Sequence, residues 1–130
     1  MEGGTYGVGR VVAAPYDEVL PKVKDALKDE GFGVLTEIDV QATLRAKLGV
    51  ERGKYTILGA CSPRHAHRAL EVEPELGLLL PCNVVVYETE RGTRVSAIDA
   101  AAMLGAVGNP ALDETAADVA AHLERVIVSL

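Results

Sequence analysis

The sequence predicts an α+β fold: a single mostly antiparallel sheet with helices packed against it, in the order β-α-β-α-β-α-β-β-α. Three observations predict it. Short runs rich in Val, Ile, Thr and Tyr alternate along the chain with segments whose apolar residues recur at helical spacing. Glu90-Arg91-Gly92 joins two of those runs by a turn short enough to make them an antiparallel hairpin. No nucleotide-binding fingerprint and no internal repeat is present, so neither a dinucleotide-binding fold nor a solenoid is expected. At 130 residues the chain reads as a single domain over 1–130, and at 48% hydrophobic it can build a core without disulfides. With aromatics at 4%, that core must be made of Val, Leu, Ile and Ala.

Thr5 to Ala13 reads as the first strand, with Tyr6, Val8, Arg10 and Val12 on one face and Thr5, Gly7, Gly9, Val11 and Ala13 on the other. The glycines predict a close approach by another element, most simply a packed helix, with the floor of a ligand cavity as the alternative. Pro15 opens a helix to about Glu30, with an apolar stripe of Tyr16, Val19, Leu20, Val23, Ala26 and Leu27 and an expected bend near Pro21. Gly31 suits its C-terminal exit. Phe32 to Ile38 is the second strand. Asp39 caps a short helix with Val40, Leu44 and Leu48 one turn apart, closed by Gly49.

Tyr55 to Ala60, mostly apolar, reads as a central strand. Ser62 and Pro63 start the next helix as N-cap and first residue, its buried stripe being Ala66, Ala69 and Leu70, and Pro74 ends it. Glu75 to Pro81 reads as a loop whose Leu78, Leu79 and Leu80 need cover: the protein's own core, a dimer surface, or a lid over a pocket. Asn83 to Glu88 is a buried strand, paired through the turn with Thr93 to Ile98. Asp99 caps a helical turn through Met103. Asp113 caps the last helix, to Leu130, with Ala116, Val119, Ala120, Leu123, Ile127 and Leu130 inward.

The net charge of −6 and pI of about 5.0 argue against a nucleic-acid partner, which requires Lys and Arg against phosphates. The N-terminal segment has no apolar signal region and no run approaches a membrane span, so a cytoplasmic protein without membrane contact is expected. In that compartment Cys61 and Cys82 are expected as free thiols. Only Gln41, Asn83 and Asn109 carry amides, a scarcity that fits a thermophile source.

The candidate chemistry lies between Gly59 and Val84. Cys61 immediately precedes an N-cap, where the helix dipole and a folded-back Arg64 would stabilise a thiolate suited to a nucleophile or redox centre. Cys82, behind Pro81, begins a strand that plausibly neighbours the strand of Cys61. The alternative for both is a small buried hydrophobe. His65 and His67 are two apart on a helix and point apart, so both read as solvated, His67 pairing with Glu71. A set of Cys61, His65 and Cys82 would suit Zn or Cu(I), although its spacing matches no standard motif. His122 reads as structural, Asp39 and Asp99 as caps, and Glu37 as solvated. No nucleophile elbow and no Cys-His-Asn triad is present.

The segments GFGVLTEIDV, YTILGACSP, HRAL and GLLLPCNVVVYE resemble the bacterial and archaeal family catalogued as domain of unknown function 302. The resemblance spans nearly the whole chain. It implies a TATA-binding-protein-like fold with a curved sheet, and a homodimer, but brings no activity or cofactor; DNA binding does not follow from the fold. The family motif has Asn between Cys and Pro where this chain has Ser62. The reading that results is a small-ligand or metal binding module, its ligand-facing candidates being Cys61, Ser62, His65, Leu79 and Cys82. The alternatives are a thiol redox protein or enzyme using Cys61 with Cys82, and a structural dimer without a site.

Overall fold

In the computed structural model, which describes residues 2, 3 and 6–130, a two-residue strand β1 (Glu2–Gly3) is followed by β2 (Gly7–Val12) and helix α1 (Tyr16–Asp29). Then come β3 (Gly33–Asp39), α2 (Val40–Leu48), β4 (Tyr55–Cys61), α3 (Pro63–Val72) and a 3-10 segment, Pro74–Leu79. The chain closes with the hairpin β5 (Cys82–Thr89) and β6 (Gly92–Ile98), α4 (Ala100–Gly105), a 3-10 turn at Pro110–Leu112, and α5 (Asp113–Val128). The strands form one open sheet in the order β1-β2-β6-β5-β4-β3, and every pairing is antiparallel. This is the α+β architecture expected from the sequence. Thr5, assigned above to the first long strand, lies outside the described residues.

The register of β4, β5 and β6 decides which side chains are buried. Leu58 lies opposite Val84 and Ala60 opposite Cys82, while Val86 pairs with Val95 and Val84 with Ala97. All of these face one side of the sheet and are buried there against Val19, Val23 and Leu27 of α1 and Val119, Leu123, Val126 and Ile127 of α5. Alternate residues Val85 and Tyr87 are only half-buried on the other side, so β5 is buried on one face rather than both. Leu76 and Leu104 join Ala69, Leu112 and Ala116 in a second, smaller cluster under α3.

Local signals explain most boundaries. Gly31 (φ 86°) ends α1, its N–H donating to the Lys28 carbonyl while that of Phe32 donates to Leu27. That Schellman pattern turns Phe32 into the core. Pro21 sits inside α1, which continues through it as one helix. Asp39 and Asp99 accept the N–H groups of Ala42 and Ala102, and so cap α2 and α4 as expected.

Other expectations are corrected. The close approach at Gly9 is made by the neighbouring strand and not by a helix: a Cβ there would lie 2.5 Å from the Val95 carbonyl oxygen. The stripe Val40–Leu44–Leu48 covers no core, since α2 packs at the sheet edge beside β3 and leaves Leu48 70% exposed. Asp113 is the first residue of α5 and not its cap. Asn109 instead caps the preceding 3-10 turn, accepting from Ala111. The buried line of α3 runs through His65 and Ala69, leaving Leu70 exposed.

Replacing Leu58 by Ala is expected to lower unfolding stability by about 2–5 kcal/mol through lost burial and a residual cavity. Leu48→Ala is expected to change it by no more than about 0.5 kcal/mol. Urea unfolding of both variants checks the contrast; equal losses would contradict the assignment of the core.

Candidate functional site

Strand β4 ends at Cys61, still paired with Gly33 of β3, and the chain then turns into α3. Ser62 is the N-cap with extended backbone and Pro63 holds the first helical position. The Ser62 hydroxyl does not cap the helix. It lies 2.6 Å from Nδ1 of His65, one turn along. His65 is only 6% exposed, and its Nε2 lies 2.5 Å from Oδ2 of Asp118 on α5. An ionised carboxylate only accepts, so Nε2–H donates to Asp118 and Nδ1 accepts from the Ser62 hydroxyl. The His65 hydrogen bond, and then the nearby His122 and Arg64, hold the Asp118 carboxyl below the usual carboxylate range.

His122 lies four residues after Asp118, on the same face of α5. Its Nδ1 is 2.9 Å from Oε1 of Glu30, the residue that ends α1, and the Nε of Arg125 donates to the same oxygen at 2.9 Å. These hydrogen bonds depress the Glu30 carboxyl, with His122 contributing most. The His65 and His122 rings stand 5.9 Å apart, and Phe32 meets the His122 ring edge-on. One donor atom each from His65, Asp118 and His122 lies within 4.8 Å of the other two.

Beside His65, between α3 and α5, is a cavity of about 30 Å³. Phe32, Ala69, Leu76, Leu80, Leu104 and Val119 give it an apolar wall, while Ser62 and His65 supply its polar end. Cys61 and Cys82 also line it, Cys61 half-buried and Cys82 buried. Burial pushes both thiols above their ordinary value. The Cys82 thiol is driven to about 11, with the neighbouring Cys61 adding to the effect of burial. The thiolate stabilisation expected at Cys61 is therefore reversed. Cys61 does immediately precede the N-cap, Ser62, but at the end of β4 burial outweighs the helix end, and Arg64 acts on Asp118 instead.

The remaining site residues sort as follows. His65, read from the sequence as solvated, is buried, because α3 is turned so that it faces α5. His67 is solvated and pairs with Glu71 at 2.7 Å, as expected. Among the described residues the three-donor cluster is His65, Asp118 and His122, and not Cys61, His65 and Cys82. Leu79 does not line the cavity. The segment is a 3-10 helix and not a loop, which turns Leu76 inward and leaves Leu78 82% exposed. Glu37 is an exposed partner of Lys24. Sequence reading passed over Glu30 and Asp118 and took His122 as structural. The signal it could have used is the Asp118/His122 pair at i,i+4.

The family model described as "Domain of unknown function DUF302" matches residues 8–130. The chain belongs to this family. A crystal structure of an uncharacterized conserved DUF302 protein from Bacillus stearothermophilus superposes with a TM-score of 0.88 at 30% identity, covering 96% of this chain and 98% of that one. An uncharacterized protein of Aquifex aeolicus (strain VF5) is 26% identical over 84 residues, 65% of this chain. The chain spans about half (52%) of that relative's length. The DUF302 relatives thus carry the fold over nearly the whole chain and bring no named activity. Among the described residues, no helix is long and apolar enough to cross a membrane.

Two outcomes follow. Iodoacetamide is expected to label Cys61 and Cys82 of the folded protein more slowly than a model thiol at pH 7–8, because burial keeps both protonated; fast labelling at neutral pH would restore a thiol centre. A carboxyl depressed on folding adds stability above its unfolded value, about 3.9, that is lost as pH falls through the folded value. Asp118→Asn is therefore expected to flatten the stability–pH curve below about pH 4, read by urea unfolding; an unchanged acid limb would contradict the His65–Asp118 bond.

Proposed function

We propose that this DUF302 protein is a binding module without turnover, in which an imidazole and not a thiol is the recognising group. The site is the small cleft between α3 and α5, with His65 at its polar end. The observation that carries the reading is His65 itself. A buried imidazole is costly unless its nitrogens are satisfied, and here both are engaged by groups from separate elements, Ser62 and Asp118. Such a bracket fixes ring orientation, which a binding group needs.

Size restricts the ligand. Sites for cofactors and drug-sized molecules occupy roughly 300–1,000 Å³. The cleft, at about 30 Å³, holds about two water-sized bodies. An ion or a molecule of a few atoms fits it as it stands. The raised thiols disfavour the redox alternative, since a reactive cysteine needs a lowered value.

A homodimer belongs to the same proposal. Leu70, Val72, Leu78 and Leu79 are all exposed along the end of α3 and the 3-10 segment after it, and exposed apolar side chains concentrated in one segment are what an interaction surface supplies.

Under xenon pressure, the methyl signals of Leu76, Leu80 and Val119 are expected to shift selectively in a 13C-methyl NMR spectrum. Unshifted signals would make the cleft a closed seam of the core and overturn its role. Leu78→Asp is expected to lower the sedimentation coefficient; an unchanged value would remove this face as the dimer contact.

A further inference from the structure

We infer that His65, Asp118 and His122 form a binding site for a divalent first-row transition ion of the zinc class, and that this ion is what the module binds. The inference rests on the reading of His65 as the recognising group. Its geometry is independent of the apolar cleft.

Three features carry it. The first is the donor set: two imidazoles and a carboxylate are three ligands suited to zinc and its neighbours, and they leave a further position open. The second is placement. Asp118 and His122 stand one turn apart on α5, and His65 meets them from α3, so that one donor atom of each is within 4.8 Å of the others. Ligands at 2.0–2.1 Å from a common ion lie nearer than that to each other; His65 Nε2 and Asp118 Oδ2 are already 2.5 Å apart, so it is the His122 nitrogen that moves in as the ion binds.

The third feature is the outer shell. A metal-binding histidine usually donates its second ring N–H to a carboxylate, a carbonyl or water, which fixes the tautomer. Here His122 Nδ1 is held on one side by Glu30 Oε1 at 2.9 Å and by the Arg125 guanidinium at 2.8 Å, the same Arg125 donating to that Glu30 oxygen, and this leaves His122 Nε2 to ligate. His65 Nδ1 faces the Ser62 hydroxyl, which can donate or accept. In the ion-free state the hydroxyl donates to Nδ1 and Nε2–H is held by Asp118. When an ion takes Nε2, the ring proton moves to Nδ1 and the hydroxyl accepts it. The tautomer changes with no net proton released by the ring. A plain α3–α5 staple would need the His65–Asp118 bond alone, and would not need His122 oriented by Glu30 at its side.

Cobalt(II) is the probe, added to the full chain and followed by its visible absorption, with affinity from isothermal titration of zinc. Saturable binding at one equivalent is expected, with no sulfur-to-cobalt charge-transfer band. Binding is expected to survive in the Cys61→Ser/Cys82→Ser double variant and in His67→Gln. It should fall at least about 100-fold in Asp118→Asn and His122→Gln, and about 10–100-fold in Glu30→Gln, the outer-shell range. Should a variant fail to fold, zinc titration of the natural chain gives the same answer: the ring signals of His65 and His122 move together while those of His67 stay still. Absent saturable binding, or binding lost in the double cysteine variant and kept in Asp118→Asn, overturns the assignment. No metal binding with xenon still entering the cleft would remove the ion and leave the binding-cleft reading standing.

Discussion

The pairing of β4 with β5 is the constraint on which the rest of the molecule depends. Leu58 opposite Val84 and Ala60 opposite Cys82 place the apolar side chains of the central strands on one face, where α1 and α5 cover them. A slip of one residue would send each of these to the other face. The same register fixes where β4 must stop. Beyond Cys61 the partner strand has passed into Leu80-Pro81, so the chain leaves the sheet and begins α3 directly beside α5. The position of the candidate site is therefore a consequence of strand register.

That position explains the contrast between the two kinds of candidate group. Cys61 and Cys82 sit at the sheet end among aliphatic neighbours, where burial disfavours charge and raises both thiols. His65 sits on the helix that leaves the sheet, turned toward the polar side of α5, where Asp118 offers a negative acceptor. Low dielectric strengthens a satisfied polar contact as much as it penalises an unsatisfied one. Glu30 extends the network to a third element, joining the end of α1 to α5 through His122 and Arg125. Three elements distant in sequence thus meet at α5 through two neighbouring sets of hydrogen bonds, and the cleft that His65 lines is too small for an organic cofactor.

Fold class, element order and most caps were legible in the sequence because each rests on local chemistry. Asp39 and Asp99 cap, Gly31 terminates, and Glu90-Arg91 turns a hairpin through short-range interactions alone. Facing was less legible. The stripe on α3 was placed on Ala66, Ala69 and Leu70, whereas the buried line runs through His65 and Ala69, because the cover comes from α5 and the sequence does not say where α5 lies. The site suffered the same way. The i,i+4 spacing of Asp118 and His122 could be read directly, but nothing local joins it to His65, 53 residues earlier. The thiols were over-weighted because an N-terminal helix position predicts a lowered value only for a group lying in the first turn. Cys61 lies two residues before the first turn, which begins at Pro63, and burial acts on it instead.

The central claim is that imidazoles from α3 and α5, and not the neighbouring thiols, make the binding site. Anomalous diffraction at the zinc edge, from crystals grown with zinc, tests it most directly. A single strong peak about 2.0–2.1 Å from nitrogen atoms of His65 and His122 and a carboxylate oxygen of Asp118 is the predicted result. A peak on Cys61 and Cys82, or none within this network, would contradict it.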